Sequence, residues 1–277
     1  MKVITLSENN AGGMGLLSEW GLSILVEAGD VNILIDTGQS ISLVNNMIAM
    51  DIDPSIIDKI VLSHGHIDHT GGLRQLLKVM KKQVEIIAHP DIWDSKYVKL
   101  SDGGGYHYIG MPFQQEELEE LGAYFTVSTG PVWINSNIAT TGEITMENDY
   151  EKVDSNLYIK QGAKFIADQV KDDLALIIKG EHGLTIVAGC AHRGIINTIN
   201  HARKIMGIDI IDMVVGGTHL VGASDEQMEI TISELKGFGM QRLGACHCTG
   251  FRALVRMAEE FGDIFVHNVA GTSLELI

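Results

Sequence analysis

The sequence predicts an α/β chain folded as a four-layer αβ/βα sandwich built from two similar halves. Three observations carry this: a strand–helix grammar that occurs twice, apolar runs that end in histidine or aspartate in both halves, and a poorly patterned stretch between them. Each half supplies a sheet with helices to cover it. Packing the two sheets together buries both inner faces and brings their ligand-bearing edges to one shared cleft. With 277 residues, 45% hydrophobic and 20% charged, the chain is long enough for one large core without disulfides. The expected organisation is a single domain, 1–277, with an insert at about 91–163 between the halves.

In the first half, residues 22–35 read as a hairpin turning at Gly29-Asp30 and ending at Asp36-Thr37-Gly38. A helix is expected around 40–50. The apolar run Lys59-Ile60-Val61-Leu62 then reads as a buried strand leading into Ser63-His64-Gly65-His66-Ile67-Asp68-His69-Thr70-Gly71-Gly72. A second helix spans roughly 73–81, and the strand 84–88 ends at His89-Pro90.

In the second half, residues 174–188 form another hairpin, which ends at Gly189-Cys190-Ala191-His192. A helix follows over about 194–206, and the strand 210–215 ends at Gly216-Gly217-Thr218-His219. Ser224 with Gln227 three residues on has the form of a capping box opening the next helix. The last repeat strand, about 240–245, ends at Cys246-His247-Cys248-Thr249-Gly250, ahead of a helix over 251–260. Between the halves, residues 101–110 are Gly- and aromatic-rich and read as a loop; the insert is either a lid or substrate wall using Tyr106, Tyr108 or Phe113, or a plain surface excursion.

Residues 63–72 place three imidazoles and a carboxylate within six positions, on a turn fixed between a strand and a helix. Ligands held that rigidly suit a metal ion, and neutral imidazoles with one carboxylate suit zinc, iron or manganese. Asp36, His89, His192, His219 and His247 also stand at the carboxyl ends of apolar runs, where ligands of open α/β sheets collect. Cys190, Cys246 and Cys248 read as small buried residues at strand ends, because Cys-His-Cys is too tight for two ligands of one tetrahedron.

A formal charge of −16 argues against nucleic acid and anionic membrane partners. No uncharged run is long enough to span a membrane, and residues 1–8 lack the apolar core of a secretion signal. Three cysteines beside histidines point to a reduced, cytoplasmic setting rather than a disulfide framework. The expected partner is a small anionic molecule; whether the chain forms a homo-oligomer is left open.

Residues 63–72 resemble the HxHxDH signature of the metallo-β-lactamase superfamily, and Asp36-Thr37-Gly38 resembles its N-terminal turn. Several segments are similar to one subfamily, the 7,8-dihydropterin-6-methyl-4-(β-D-ribofuranosyl)aminobenzene-5′-phosphate synthases: Glu19-Trp20-Gly21, Thr141-Gly142-Glu143-Ile144, Asp173-Leu174, Gly216-Gly217-Thr218-His219 and His247-Cys248-Thr249-Gly250. The resemblance implies the metallo-β-lactamase fold and two divalent metal ions, with zinc expected and iron or manganese as alternatives. It implies His64, His66 and His192 on one ion and Asp68, His69 and His247 on the second. A bridging aspartate is usual after the strand 210–215, and this chain has none there. His219 is then a ligand, a substrate contact or a donor to another ligand.

Asp68, Asp36 and His219 are the catalytic candidates, Asp36 as a carboxylate orienting a histidine or a metal-bound water. Substrate candidates are Glu143, Arg193, His89, Tyr106 and Thr249; Arg193 opens a helix and could meet a phosphate, whereas His89 either lines the cleft or caps its strand. The expected activity is hydrolysis by metal-bound hydroxide, or dihydropteroate-synthase-like C–N bond formation with pyrophosphate release, on a pterin- or phosphate-bearing substrate. A metal-bound binding or sensing protein with little turnover is the alternative.

Overall fold

The computed structural model describes residues 1–101 and 103–275. The chain opens with β1 (Lys2–Ser7), β2 (Ser23–Ala28), β3 (Val31–Ile35), α1 (Ser42–Ala49), β4 (Lys59–Val61), the short α2 (Ile67–Thr70), α3 (Leu73–Met80) and β5 (Val84–Ala88). It continues through β6 (Lys96–Lys99), β7 (Tyr106–Tyr108), α4 (Gln115–Glu120), β8 (Ala123–Val127), β9 (Trp133–Asn135), β10 (Ile138–Thr140), β11 (Leu157–Gln161) and β12 (Lys164–Ala167). The remainder is β13 (Ala175–Lys179), β14 (Leu184–Ala188), α5 (Ile195–Met206), β15 (Ile211–Gly217), α6 (Asp225–Gly237), β16 (Arg242–Cys246), α7 (Phe251–Phe261) and β17 (Ser273–Glu275).

One sheet has the order β17-β1-β2-β3-β4-β5-β8 and a second the order β16-β15-β14-β13-β10-β9. Strand alternation sorts their side chains into layers. Ile33, Ile35, Val61 and Ile87 face Leu176, Ile178, Val187, Met213 and Val215 in a core between the sheets. The opposite faces carry Leu34, Ile60 and Ile86 against α1 and α3, and Ile177, Ile186, Val214 and Leu243 against α5, α6 and α7. The result is the four-layer α/β/β/α sandwich expected from the doubled grammar.

β3, β4, β5 and β8 run parallel, as do β14, β15 and β16. Parallel strands put their carboxyl ends on one edge, so Asp36, the histidine cluster, His192, His219 and His247 leave the sheets on the same side.

The 91–163 stretch differs from the single irregular insert expected of it. α4 and β8 extend the first sheet, and β9 and β10 extend the second. The other strands form a third sheet, β12-β11-β6-β7. Tyr106–Tyr108 is therefore a strand rather than loop; residue 102 lies outside the described residues. Its polar, solvent-facing sequence hides it, because an exposed strand leaves no run of buried apolar residues to read.

Candidate metal centre

Six donors from three strand ends meet at the shared edge. The turn after β4 carries His64 and His66, and α2 adds Asp68 and His69. The turn after β14 brings His192, and the turn after β16 brings His247. His64 Nε2 lies 3.2 Å from His192 Nε2, and His69 Nε2 lies 3.2 Å from His247 Nε2. Asp68 Oδ2 is 3.3 Å from His247 Nε2 and 3.7 Å from His69 Nε2. The donor atoms of His64, His66 and His192 fall within 4.8 Å of one another, as do those of Asp68, His69 and His247.

On three of the donor rings the nitrogen facing away from the centre is held by the protein. His69 Nδ1–H donates to Asp36 Oδ2 at 2.7 Å, and His247 Nδ1–H donates to Asn9 Oδ1 at 2.9 Å. His64 Nδ1 bonds Ser63 Oγ at 2.9 Å, whose hydroxyl donates to Asp36 Oδ2 at 2.7 Å. These bonds fix the tautomers and turn the Nε2 lone pairs inward.

The backbone is equally constrained. Asp172 Oδ2 accepts the N–H of Gly65, between the first two histidines, and Asp173 Oδ2 accepts the N–H of Arg193, next to His192. Glu8 Oε1 accepts the N–H of His247. Asp36 and His247 sit in left-handed backbone at φ 57° and 53°, a conformation that bulky residues keep only where their surroundings enforce it.

Burial, reinforced by the neighbouring imidazoles, drives His64 and His192 well below the ordinary histidine range. Burial also takes His66 down to about 3, against the pull of Asp68. His69 goes the other way: burial would lower it, but Asp68 and Asp36 outweigh that and raise it to about 9. Imidazole nitrogens facing at 3.2 Å require something positive between them, a proton or a metal ion. Two nitrogens each 2.0–2.1 Å from one tetrahedral ion stand about 3.3 Å apart, close to the spacing found. His66 Nε2 and His192 Nδ1 are buried without a partner. The residues present fit divalent ions.

The other expected residues divide. His219 joins the cavity wall; its Nε2–H donates to Asp154 Oδ2 at 3.0 Å, and its ring centroid is 4.0 Å from that of His192. Burial would lower His219, but Asp154 and Cys248 raise it to about 10. Arg193 and Glu143 turn away. The Arg193 guanidinium donates to the carbonyls of Ile144 and Gln169 and stands 3.6 Å from Glu143. The N-terminus of α5, where a phosphate was expected, is occupied by the buried Glu151 carboxylate, which accepts the N–H groups of Ile196 and Asn197.

His89 caps the turn after β5 by accepting the Asp91 N–H, and Tyr106 stacks on Phe165 in the third sheet. Thr249 Oγ1 accepts from the Thr218 N–H and hydroxyl. None of these five lines the cavity at the donor cluster. Cys190 and Cys248 are buried as expected, yet they face the donors: Cys190 Sγ is 3.1 Å from His69 Nε2. Glu8, Asn9, Ser63, Asp154 and Asp172 were not singled out by sequence. Apart from Ser63, which adjoins His64, they reach the site across long separations, 239 residues for Glu8 and His247, so no local spacing exposes them.

The sequence profile of the metallo-beta-lactamase superfamily matches residues 21–195, more than half of the chain. The chain belongs to the metallo-beta-lactamase superfamily. This superfamily member is 35% identical, over 98% of its length and 95% of the relative's, to a Methanocaldococcus jannaschii protein named 7,8-dihydropterin-6-methyl-4-(beta-D-ribofuranosyl)-aminobenzene-5′-phosphate synthase. It is 31% identical, over 96% of its length and 97% of the relative's, to an uncharacterized protein of the same organism. Among solved structures, Tm1679, described as a metal-dependent hydrolase of the beta-lactamase superfamily, superposes with a TM-score of 0.85 at 27% identity, covering 100% of this chain and 99% of that one.

Proposed function

We propose that this metallo-beta-lactamase-superfamily chain is a metal-dependent enzyme whose substrate joins a phosphate-bearing end to a flat ring. In the reaction we favour, an arylamine displaces diphosphate from a dihydropterin methylene. The observation that carries the reading is a cavity of about 360 Å³ that joins the donors to an apolar wall. Its lining includes the donors His66, Asp68, His192 and His247 together with the apolar Trp20, Val98, Ile109, Leu157 and Val221. That volume lies at the small-molecule end of the range for ligand sites. The name of the Methanocaldococcus relative supports the pterin and the transfer.

His64, His66 and His192 would hold one ion, and Asp68, His69 and His247 a second, with zinc best suited and iron or manganese also compatible. Bound there, the ions would neutralise negative charge on a leaving diphosphate. The side chains do the rest. Among the described residues neither lysine nor arginine lines the cavity, so His219, paired with Asp154, is the wall's own cationic candidate for a phosphate oxygen. Trp20 offers a flat face beside His247, with ring centroids 5.2 Å apart. The arylamine nitrogen forms the C–N bond, the C–O bond breaks with its electron pair leaving on the diphosphate, and the amine proton passes to solvent.

Hydrolysis of the same bond is the second reading, favoured by the likeness to Tm1679. No helix among the described residues is long and apolar enough to cross a membrane. With three free cysteines and a charge of −16, we place the protein in the cytoplasm, acting on small molecules rather than nucleic acid or membranes.

The test supplies a dihydropterin methyl diphosphate with and without 4-(β-D-ribofuranosyl)aminobenzene 5′-phosphate. Diphosphate release that requires the arylamine and yields the condensed product supports the transferase. Release without the arylamine supports hydrolysis. Substrate binding with no release by metal-loaded protein overturns both and leaves a binding protein.

A further inference from the structure

We infer that the Cys190 thiolate is a shared ligand, bridging the two metal sites in place of the absent carboxylate. The inference rests on the reading that the two donor triads hold ions. Cys190 Sγ is the atom that connects them. It falls within 4.8 Å of the donor atoms of His64 and His69 together, of His192 and His219 together, and of His247 and Cys248 together. It therefore reaches members of both triads, His64 and His192 on one side and His69 and His247 on the other. His64 and His69 also approach each other across the gap, but each belongs to one triad; among the described residues of these donor groups, Cys190 is the one outside both triads that reaches each. The side chain is buried, and Sγ lies 3.1 Å from His69 Nε2.

The span is right for a bridge. Paired ions stand about 3.5–4 Å apart, and a sulfur about 2.3 Å from each can reach both. The last residue of β15 is closed to an alternative. A Cβ on Gly217 would meet Cys248 Sγ at 2.5 Å and the Gly189 carbonyl oxygen at 2.6 Å, so position 217 itself cannot supply a bridging side chain. Cys248 is placed differently: its Sγ is directed to the Cys190 carbonyl at 3.4 Å, and it groups with only one member of the triads, His247. A bridging thiolate also bears on metal choice, since soft sulfur favours zinc, iron or cobalt over magnesium or manganese.

The experiment loads the full-length protein, and its Cys190→Ser and Cys248→Ser variants, with cobalt(II). It reads cobalt content and the near-ultraviolet thiolate-to-cobalt absorption, and circular dichroism checks that each variant folds. A thiolate band in the parent protein that disappears in Cys190→Ser and persists in Cys248→Ser is the expected result. A cobalt-loaded parent with no thiolate band overturns the bridge while leaving the donor triads standing. A band lost in Cys248→Ser but kept in Cys190→Ser overturns it as well, naming the other cysteine. A parent that takes up no cobalt overturns the metal reading itself.

Discussion

Asp36 Oδ2 stands 2.7 Å from His69 Nδ1, and the same oxygen accepts the Ser63 hydroxyl that bonds His64 Nδ1. One buried carboxylate thus orients a histidine from each donor triad, reaching His69 directly and His64 through a hydroxyl. Its other oxygen accepts the Ser63 N–H at 2.7 Å, which fixes the strand end that carries the cluster.

Asp36→Asn keeps the volume and tolerates the left-handed backbone, so the fold should survive. An amide cannot stabilise both imidazoles as a carboxylate does. Metal affinity or turnover should fall by roughly 10- to 100-fold, the usual cost of losing a partner behind a metal ligand. Titration with a competing chelator, beside kcat, checks this. Unchanged values for both would reduce Asp36 to holding the Ser63 turn in place.

Lys96 is buried beneath the turn between His64 and His66, with Nζ 2.8 Å from Asp172 and 3.1 Å from Asp168. Burial would lower the ammonium, yet the two carboxylates raise it. Lys96→Met leaves those carboxylates buried without their cation, at a cost of about 3–5 kcal/mol. Urea unfolding measures it. A loss below about 1 kcal/mol would mean that the pair contributes little.

His219 commits Nε2 to Asp154, so removing its ring should spare the ions and remove a donor to the substrate. His219→Ala is expected to retain its metal and to lose roughly 10²- to 10⁴-fold in kcat. Elemental analysis with steady-state kinetics separates the roles, because a lost ion would make His219 a ligand.

Trp20 is half-exposed on the apolar wall. Trp20→Ala should raise KM by roughly 2- to 12-fold while kcat and metal content hold, since a flat contact of this kind serves ground and transition states alike. A fall in kcat with KM unchanged would place the indole at the reacting centre.

The doubled strand–helix grammar was readable because each buried strand is a short apolar run that ends in a polar residue, as in Ile33-Leu34-Ile35-Asp36 and Ile60-Val61-Leu62-Ser63-His64. The donor histidines were readable because four of the six donors lie within one six-residue motif. The residues that hold them were not. Asn9, Glu8 and Asp154 reach the site from loops distant in sequence, and only the fold brings them there. Arg193 misled because a cation at a helix start resembles an anion site; nothing local reveals that Glu151 fills it. Cys190 was legible as buried, but burial alone does not say that its sulfur faces the imidazoles.

Elemental analysis of protein purified without added metal, beside His64→Ala and His247→Ala, tests the central claim most directly. The account predicts close to two divalent ions per chain in the parent protein, with each variant losing about one and keeping the other. A chain that carries no metal under any loading condition, or variants that keep the full complement, would contradict it.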